Sequence, residues 1–456
     1  MKTIAYAPQS VASSTKEVAC GASCNEVVYS GITEAEFSAY QTTVTDNGMV
    51  LHTDNSVTNT IKKNYSLTYK NGFYVLTLDY NSYTQELRVT YEAANTTHLI
   101  TSNDYTSIQN CTSLVTQIGL GDVKEQDPGN GMAYVIRLAD CSFIVIDGGH
   151  NAAAAKLIYD VLYKQASEFG REDDIVVAAW LFTHAHDDHV GFFSSFAQNY
   201  SNVTVQQFLY NFPGEALISD MDVDALKEIN SGYNNWATAN EMITTITATL
   251  DQYYPSAKRI NAHTGQAFDI RNATVKILYT TEALFGTSKF DTLKTDYNGI
   301  TYYNDTSMVF TIEVEGVKMI FLGDAGAITG HLLVDRYDAS ELKSDIIQVS
   351  HHGMGSSPHT CYDEVDADWI LWPMGKGSST STVKYYNQLN ATHNDYFFGE
   401  DASTTVTSDN HDTLLDKYNI YVARNQITVL TLSNGTVSPA CVPSARPTVS
   451  EYTASE

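Results

Sequence analysis

The rhythm of apolar and polar positions changes near residue 112. Before that point short apolar runs alternate with turn residues. Tyr65-Ser66-Leu67-Thr68-Tyr69 passes through Lys70-Asn71-Gly72 into Phe73-Tyr74-Val75-Leu76-Thr77-Leu78, and Glu86-Leu87-Arg88-Val89-Thr90-Tyr91 follows. Alternating runs joined through Asn-Gly predict a hairpin, and residues 1–112 predict a small β-rich accessory domain with nothing catalytic in it. Beyond it the apolar runs become continuous. Residues 134–138 and 142–149 predict paired strands, the second fully buried. In 152–168, Ala155, Leu157, Ile158, Val161 and Leu162 recur at helical spacing. Residues 175–182 predict another buried strand, and 221–253 a helical segment within an insertion at about 215–255. Strands resume at 275–279, 307–312, 318–322, 345–350 and 369–372. The last, 427–432, leads into a Ser/Pro/Thr-rich stretch predicted to be a flexible tail, 438–456, without a core. The second domain therefore spans 113–437.

The chemistry lies at strand ends. The run Ile175-Val176-Val177-Ala178-Ala179-Trp180-Leu181-Phe182 is followed at once by Thr183-His184-Ala185-His186-Asp187-Asp188-His189-Val190-Gly191. A strand ending in a sharp loop directs imidazoles and a carboxylate toward one point, and these are the ligand types of a divalent transition metal. Three other strands end alike, at Asp147-Gly148-Gly149, Phe321-Leu322-Gly323-Asp324-Ala325 and Val349-Ser350-His351-His352-Gly353. One Gly-Asp or His-His-Gly alone is an ordinary turn. Four of them at strand C-termini are a pattern.

Through 183–191, 321–325 and 350–353 the chain resembles the metallo-β-lactamase-fold hydrolases. Gly129-Asn130-Gly131-Met132-Ala133, Asp147-Gly148-Gly149 and Asn304-Asp305-Thr306-Ser307-Met308-Val309 are similar to the branch of the ComEC-type DNA-uptake proteins and phosphorylcholine esterases. The resemblance covers about 115–435. It implies an α/β fold, the αββα sandwich, with the metal site along one edge. It also implies His184 and His186 on one metal, Asp188 and His189 on the second, Asp324 bridging, and His351 completing the second site. Asp188 would orient a metal-bound hydroxide, and His352 would stand in an outer position or give a proton to the leaving group. Asp147 and Ser/Thr groups would hold imidazole N–H groups. Two zinc ions are the implied cofactor, with manganese the alternative. The family's further histidine on the first metal is missing from its usual place, which leaves His263 or Asn304 for that role.

Composition narrows the substrate. The net charge of −27 and only 26 basic residues in 456 argue against a long nucleic-acid face, and no apolar stretch is long enough to span a membrane. The resemblance, through His351-His352-Gly353 and the 304–309 segment, implies a phosphoester, and the acidic charge favours a small-molecule or cell-surface one, with Tyr302, Tyr303 and Trp372 as candidates to bind an aromatic or quaternary ammonium group. The alternatives are hydrolysis of a carboxylic ester, thioester or lactam, a mononuclear-iron persulfide-type oxygenase, and a catalytically degenerate metal-binding module. Residues 1–10 lack the apolar core of a secretion signal. The Ser-, Thr- and Asn-rich composition with nine Asn-x-Ser/Thr sites nevertheless favours a secreted protein, cytoplasmic being the alternative. Six scattered cysteines leave disulfides and reduced thiols equally open.

Overall fold

The computed structural model describes residues 11–19, 24–93, 111–120, 131–213, 235–286, 303–353, 357–374, 399–401, 403–407 and 409–454. Gly129 and Asn130, Cys20, Tyr302 and the helical segment expected from Met221 to residue 234 lie outside them.

The first unit is an antiparallel sheet of six strands: β1 (Ser14–Ala19), β2 (Cys24–Ser30), β3 (Val50–Asp54), β4 (Asn64–Lys70), β5 (Tyr74–Asn81) and β6 (Glu86–Ala93), in the order β1-β2-β6-β5-β4-β3. Its alternating pattern gives it two unlike faces. One carries Leu67, Tyr69, Leu76, Leu78, Tyr80, Leu87 and Val89 and is covered by helix α1 (Glu34–Asp46) through Phe37, Tyr40 and Val44. Thr33 and Glu36 close the start of α1 as a reciprocal capping box. The other face is polar, with Glu26, Ser66, Thr68, Thr77, Asp79, Arg88, Thr90 and Glu92, yet all of these are buried. A buried polar face needs partners, and the second unit supplies them.

That second unit contains two mixed sheets. One joins β7 (Ser113–Ile118), β8 (Ala133–Arg137), β9 (Phe143–Asp147), β10 (Ile175–Leu181), β11 (Val203–Val205), β12 (Gln207–Tyr210), β13 (Lys258–Asn261), β21 (Ile427–Ser433) and β22 (Thr436–Pro439). The other runs β14 (Ala267–Ile270), β15 (Ala273–Tyr279), β16 (Val309–Val314), β17 (Val317–Phe321), β18 (Ile346–Gln348), β19 (Trp369–Trp372) and β20 (Ile420–Val422) in chain order. Successive residues face opposite sides of a strand, so each strand serves two cores. Ile144, Ile146, Ile277, Phe310 and Phe321 fill the layer between the sheets. Val145, Val177, Ile320 and Ile347 face outward, beneath helices such as α2 (Ala152–Ser167) and α4 (Ala327–Arg336). This is an α/β sandwich of two facing sheets between outer helices.

Residues 438–456 were expected to be a tail without a core, and the structure corrects this for the described part. Strand β22 pairs with β21. Arg446 is buried, donates to Thr428 Oγ1 at 2.7 Å and to the Val422 carbonyl at 2.8 Å, and lies over the Tyr421 ring. A short helix (Val449–Thr453) begins at the Thr448–Glu451 capping box, and its Tyr452 hydroxyl accepts from Gln165. One guanidinium and a cap anchor this segment rather than an apolar run, so hydrophobic pattern alone misses it.

Candidate metal centre

Four strand C-termini converge on one edge. Strands β9 and β10 are parallel neighbours, as are β17 and β18, so their carboxyl ends open on the same side. From β10 the chain continues extended through Thr183–His186 and then forms a single helical turn, α3 (Asp187–Val190), whose first turn holds Asp188. Behind β10 the fully buried Trp180 lies among Phe182, Phe192, Phe193 and Phe196 and donates Nε1–H to the Asp147 carbonyl at 3.1 Å. Asp147, His351 and His352 all have left-handed backbones, with φ of 51°, 48° and 52°. Non-glycine residues held there cost about 1–2 kcal/mol each, and such strain gathers at functional sites. Gly323 is left-handed too, and a Cβ on it would come within 3.0 Å of both Ser307 and Thr183 side chains; only glycine brings Asp324 this close to the motif loop.

These ends place two donor groups side by side. One comprises His184, His186 and Asp324, and the other Asp188, His189, His352 and Asp324. His184 Nε2 is 3.0 Å from His186 Nδ1 and 3.9 Å from Asp324 Oδ2. His189 Nε2 is 3.2 Å from Asp324 Oδ1, and His352 Nε2 is 3.1 Å from Asp188 Oδ2 and 3.4 Å from Asp324 Oδ2. Donors on a tetrahedral cation with bonds near 2.0–2.2 Å stand roughly 3.4 Å apart, which is this spacing. His186 Nε2, His189 Nε2 and Asp324 Oδ1 are buried and have no hydrogen-bond partner. Buried polar atoms are otherwise nearly always satisfied. The donor set therefore fits a pair of divalent cations that share Asp324.

The far side of three of the four rings is held by protein. His189 Nδ1 lies 2.7 Å from Asp147 Oδ2, His352 Nδ1 2.7 Å from the Pro373 carbonyl, and His184 Nδ1 3.1 Å from Thr183 Oγ1. Thr183 in turn donates both its N–H and its hydroxyl to Asp147. With Nδ1 so held, the Nε2 atoms of His184, His189 and His352 face the donor groups, the arrangement that orients metal-binding histidines. Gln348 ties the ends of β17 and β18 together, its Oε1 accepting from Leu322 and Gly323 N–H. Ser307 accepts from the Asp324 N–H at 3.1 Å.

Burial dominates the electrostatics and charge decides its sign. Burial, reinforced by the neighbouring imidazoles, holds His184 well below its ordinary value, and burial lowers His186 as well. Burial also opposes charging His352, but the Asp324 and Asp188 carboxylates outweigh it and raise the imidazole to about 10. The same carboxylates, with Asp147, raise His189 well above the ordinary range. Burial would raise Asp188 and Asp324, and His189 and His352 instead hold both far down. The first group is thus neutral at its nitrogens, and the second is a tight alternation of opposite charges.

Two expectations fall out differently. His352, not His351, brings its imidazole into the second group; the left-handed pair turns the second ring inward, and His351 belongs to neither group. His263 is nowhere near: it is buried against Glu92 and Glu282, with Cys24 Sγ at 4.0 Å. Asn304 is buried beside Tyr303, whose ring packs 5.0 Å from that of His186, and its Oδ1 has no hydrogen-bond partner. Tyr303 and Trp372 are themselves buried, and the Trp372 indole donates to the His352 carbonyl. Asp147 and Thr183 belong to the ligand and turn types that the sequence exposes. The roles of the Pro373 carbonyl and Gln348 have no sequence signal, because a main-chain acceptor and a lone glutamine look like any other.

No protein-family model and no curated protein matches the chain. Among solved structures, the metallo-β-lactamase fold protein YhfI from Bacillus subtilis aligns over 60% of this chain and 92% of its own, at 12% identity and a TM-score of 0.33. CmlA, a diiron β-hydroxylase from Streptomyces venezuelae, aligns over 62% of this chain at 10% identity and a TM-score of 0.31, and the chain spans about half of its length, 52%. At such scores neither likeness bears on chemistry. The strand order, the two cores and the donor groups carry the description: an α/β sandwich with two adjoining sets of metal-ligating side chains on one edge.

Proposed function

We propose that the chain is a metal-dependent hydrolase of a small or cell-surface phosphoester, related to the ComEC-type and phosphorylcholine-esterase-like branch of the metallo-β-lactamase fold. The observation that carries this reading is the pair of donor groups sharing Asp324, with buried ligand atoms that nothing else satisfies. His184, His186 and Asp324 would hold one ion, and Asp188, His189, His352 and Asp324 the other. Zinc suits so many imidazoles; manganese suits the oxygen-rich second group. Bound there, such ions supply Lewis acidity toward a phosphoryl oxygen and lower the pKa of water toward neutrality.

The chain's own groups do the rest. The first group has three protein donors, the pattern of a catalytic rather than a structural site, and so leaves a position for water or substrate. Asp188 is the most exposed of the second group's carboxylates, its side chain 17% accessible, and would orient the attacking water. His352 takes a ligand's place, so the role of proton donor to the leaving group passes to His351, which stands next to the centre outside both groups. The strong overall negative charge repels polyanions and favours a small or cationic substrate. The Cys111–Cys141 disulfide supports a secreted location.

The test is hydrolysis of bis-p-nitrophenyl phosphate by zinc- or manganese-loaded protein, compared with His186→Ala. Metal-dependent turnover that the substitution abolishes supports the reading. Iron alone with no esterase activity points to oxygenase chemistry, and no turnover with any metal to a degenerate module; either result ends the hydrolase assignment.

A further inference from the structure

Asp324 serves both donor groups at once, so the loop that carries it matters as much as the ligand itself. Every main-chain amide from Leu322 to Gly326 is held. Gln348 takes those of Leu322 and Gly323, Ser307 that of Asp324, and the Leu322 carbonyl that of Ala325. The last, on Gly326, donates to Asp305 Oδ1 at 3.0 Å. Asp305 is buried and belongs to the 3₁₀ turn Tyr303–Thr306, whose Tyr303 ring packs against His186. It is a member of neither donor group.

The same oxygen of Asp305 also starts a helix. Helix α4 begins after Gly326, which has no side chain to cap it, and the first amides of a helix have no partner within it. Asp305 Oδ1 accepts from the Thr329 N–H at 3.1 Å and from the Thr329 hydroxyl at 2.8 Å. Thr329 is the third residue of α4, the position whose amide a capping side chain ordinarily takes. The cap is thus supplied from outside, by a residue 21 positions before Gly326. Its approach requires glycine: a Cβ on Gly326 would lie 2.8 Å from Asp305 Oδ1 and 2.9 Å from Oδ2. The turn is pinned in its own right, the Tyr279 hydroxyl donating to the Asp305 carbonyl at 2.7 Å. Two residues later Ser307 holds the Asp324 amide, so one short segment grips the loop both at the ligand and just beyond it.

We propose that Asp305 is a positioning residue for Asp324: by joining Gly326 to the first turn of α4 it fixes the exit of the loop, and so the direction of the bridging carboxylate. The inference rests on the reading of the edge as a dinuclear metal centre. Without this acceptor the Gly326 and Thr329 amides lose their partner, and the first turn of α4 is free to fray. The loop keeps Gln348, Ser307 and the Ser350 and Ser357 hydroxyls on the Ala325 carbonyl, but its junction with the helix is released. A carboxylate on a loosened loop is ordered only when the metals bind, and that ordering lowers their affinity. A cap that merely stabilised the helix would raise the melting temperature and leave the affinity of the folded protein alone.

Zinc is the probe, titrated into the full-length chain against a chromophoric chelator, with a melting curve of each metal-free protein. Asp305→Ala should weaken zinc binding by about 10–100-fold, as loss of an outer support does. Asp305→Asn keeps an acceptor oxygen, and Asn caps a helix as well as Asp, so its affinity should stay near wild type. Gly326→Ala answers the question where Asp305→Ala does not fold. The backbone at 326 is extended, with φ of −84°, and open to alanine, while the new methyl displaces the Asp305 carboxylate. It too should weaken zinc binding. Asp305→Ala and Gly326→Ala proteins that melt earlier than wild type yet bind zinc with its affinity overturn the proposal. So does Asp305→Asn as weak as Asp305→Ala, which would place the effect in the charge and not in the cap. Wild type that binds no zinc refutes the metal centre and this inference with it, an outcome visible before any substitution is made.

Discussion

Asp147 and His351 separate positioning from chemistry at the level of single residues. Asp147 touches no metal position; it holds His189 Nδ1 and both donors of Thr183. Asp147→Asn keeps the shape but presents an N–H where an acceptor is needed. We expect a 10–100-fold loss of zinc affinity, measured by competition with a chromophoric chelator; unchanged affinity would show the ring is oriented by packing alone. His351→Ala should leave metal content intact and lower turnover by about 10²-fold for phosphodiesters with alkoxide leaving groups, far less for p-nitrophenolate, which needs no proton. An equal loss for both substrates would remove His351 from proton donation. His184, His186, Asp188, His189 and Asp324 were legible in the sequence because their spacing is local to strand ends. Which of His351 and His352 turns inward was not, since two left-handed residues decide it.

The elements show where local pattern suffices and where it fails. Strand β10, helix α2 and the β4–β5 hairpin follow their apolar periodicity. The polar face of the accessory sheet reads as solvent-facing and is buried, because its partners lie about 200 residues away in sequence. Trp180 links strand packing to the site, filling the space behind β10 and bonding the Asp147 carbonyl. Trp180→Ala should cost about 3–5 kcal/mol, read from denaturant unfolding; less than 1 kcal/mol would mean that this aromatic cluster does not support the edge. Glu26 on β2 predicts a pH dependence. Burial, helped by Glu282, raises its carboxyl from 4.5 to about 7 against the pull of Arg88 and His263. The folded state therefore holds the proton more tightly, and its stabilising effect, complete below 4.5, fades as pH rises to about 7. Across that window wild type should lose on the order of 3 kcal/mol more than Glu26→Gln. Parallel urea midpoints at pH 4.5 and 7.5 for the two proteins would contradict this.

At the scale of the molecule, the accessory sheet behaves as part of the sandwich. Lys62 donates to the Tyr337 carbonyl and Asn64 to Glu341, Asn81 donates to the Arg336 carbonyl, and Arg336 pairs with Asp79. These contacts grip the end of α4, the helix that starts three residues after Asp324. Removing Arg336 leaves Asp79 buried and unpaired, so Arg336→Ala should destabilise by about 3–5 kcal/mol. Wild type should unfold in one calorimetric transition, and two transitions would show that the sheet is an independent module. The central claim is that Asp324 joins two metals at the sandwich edge. A zinc-edge anomalous-scattering map of the loaded crystal tests it most directly. The account predicts two peaks about 3.5–4 Å apart, one against His184 and His186, the other against His189 and His352, with Asp324 between them. A single peak, or none, at that edge would contradict it.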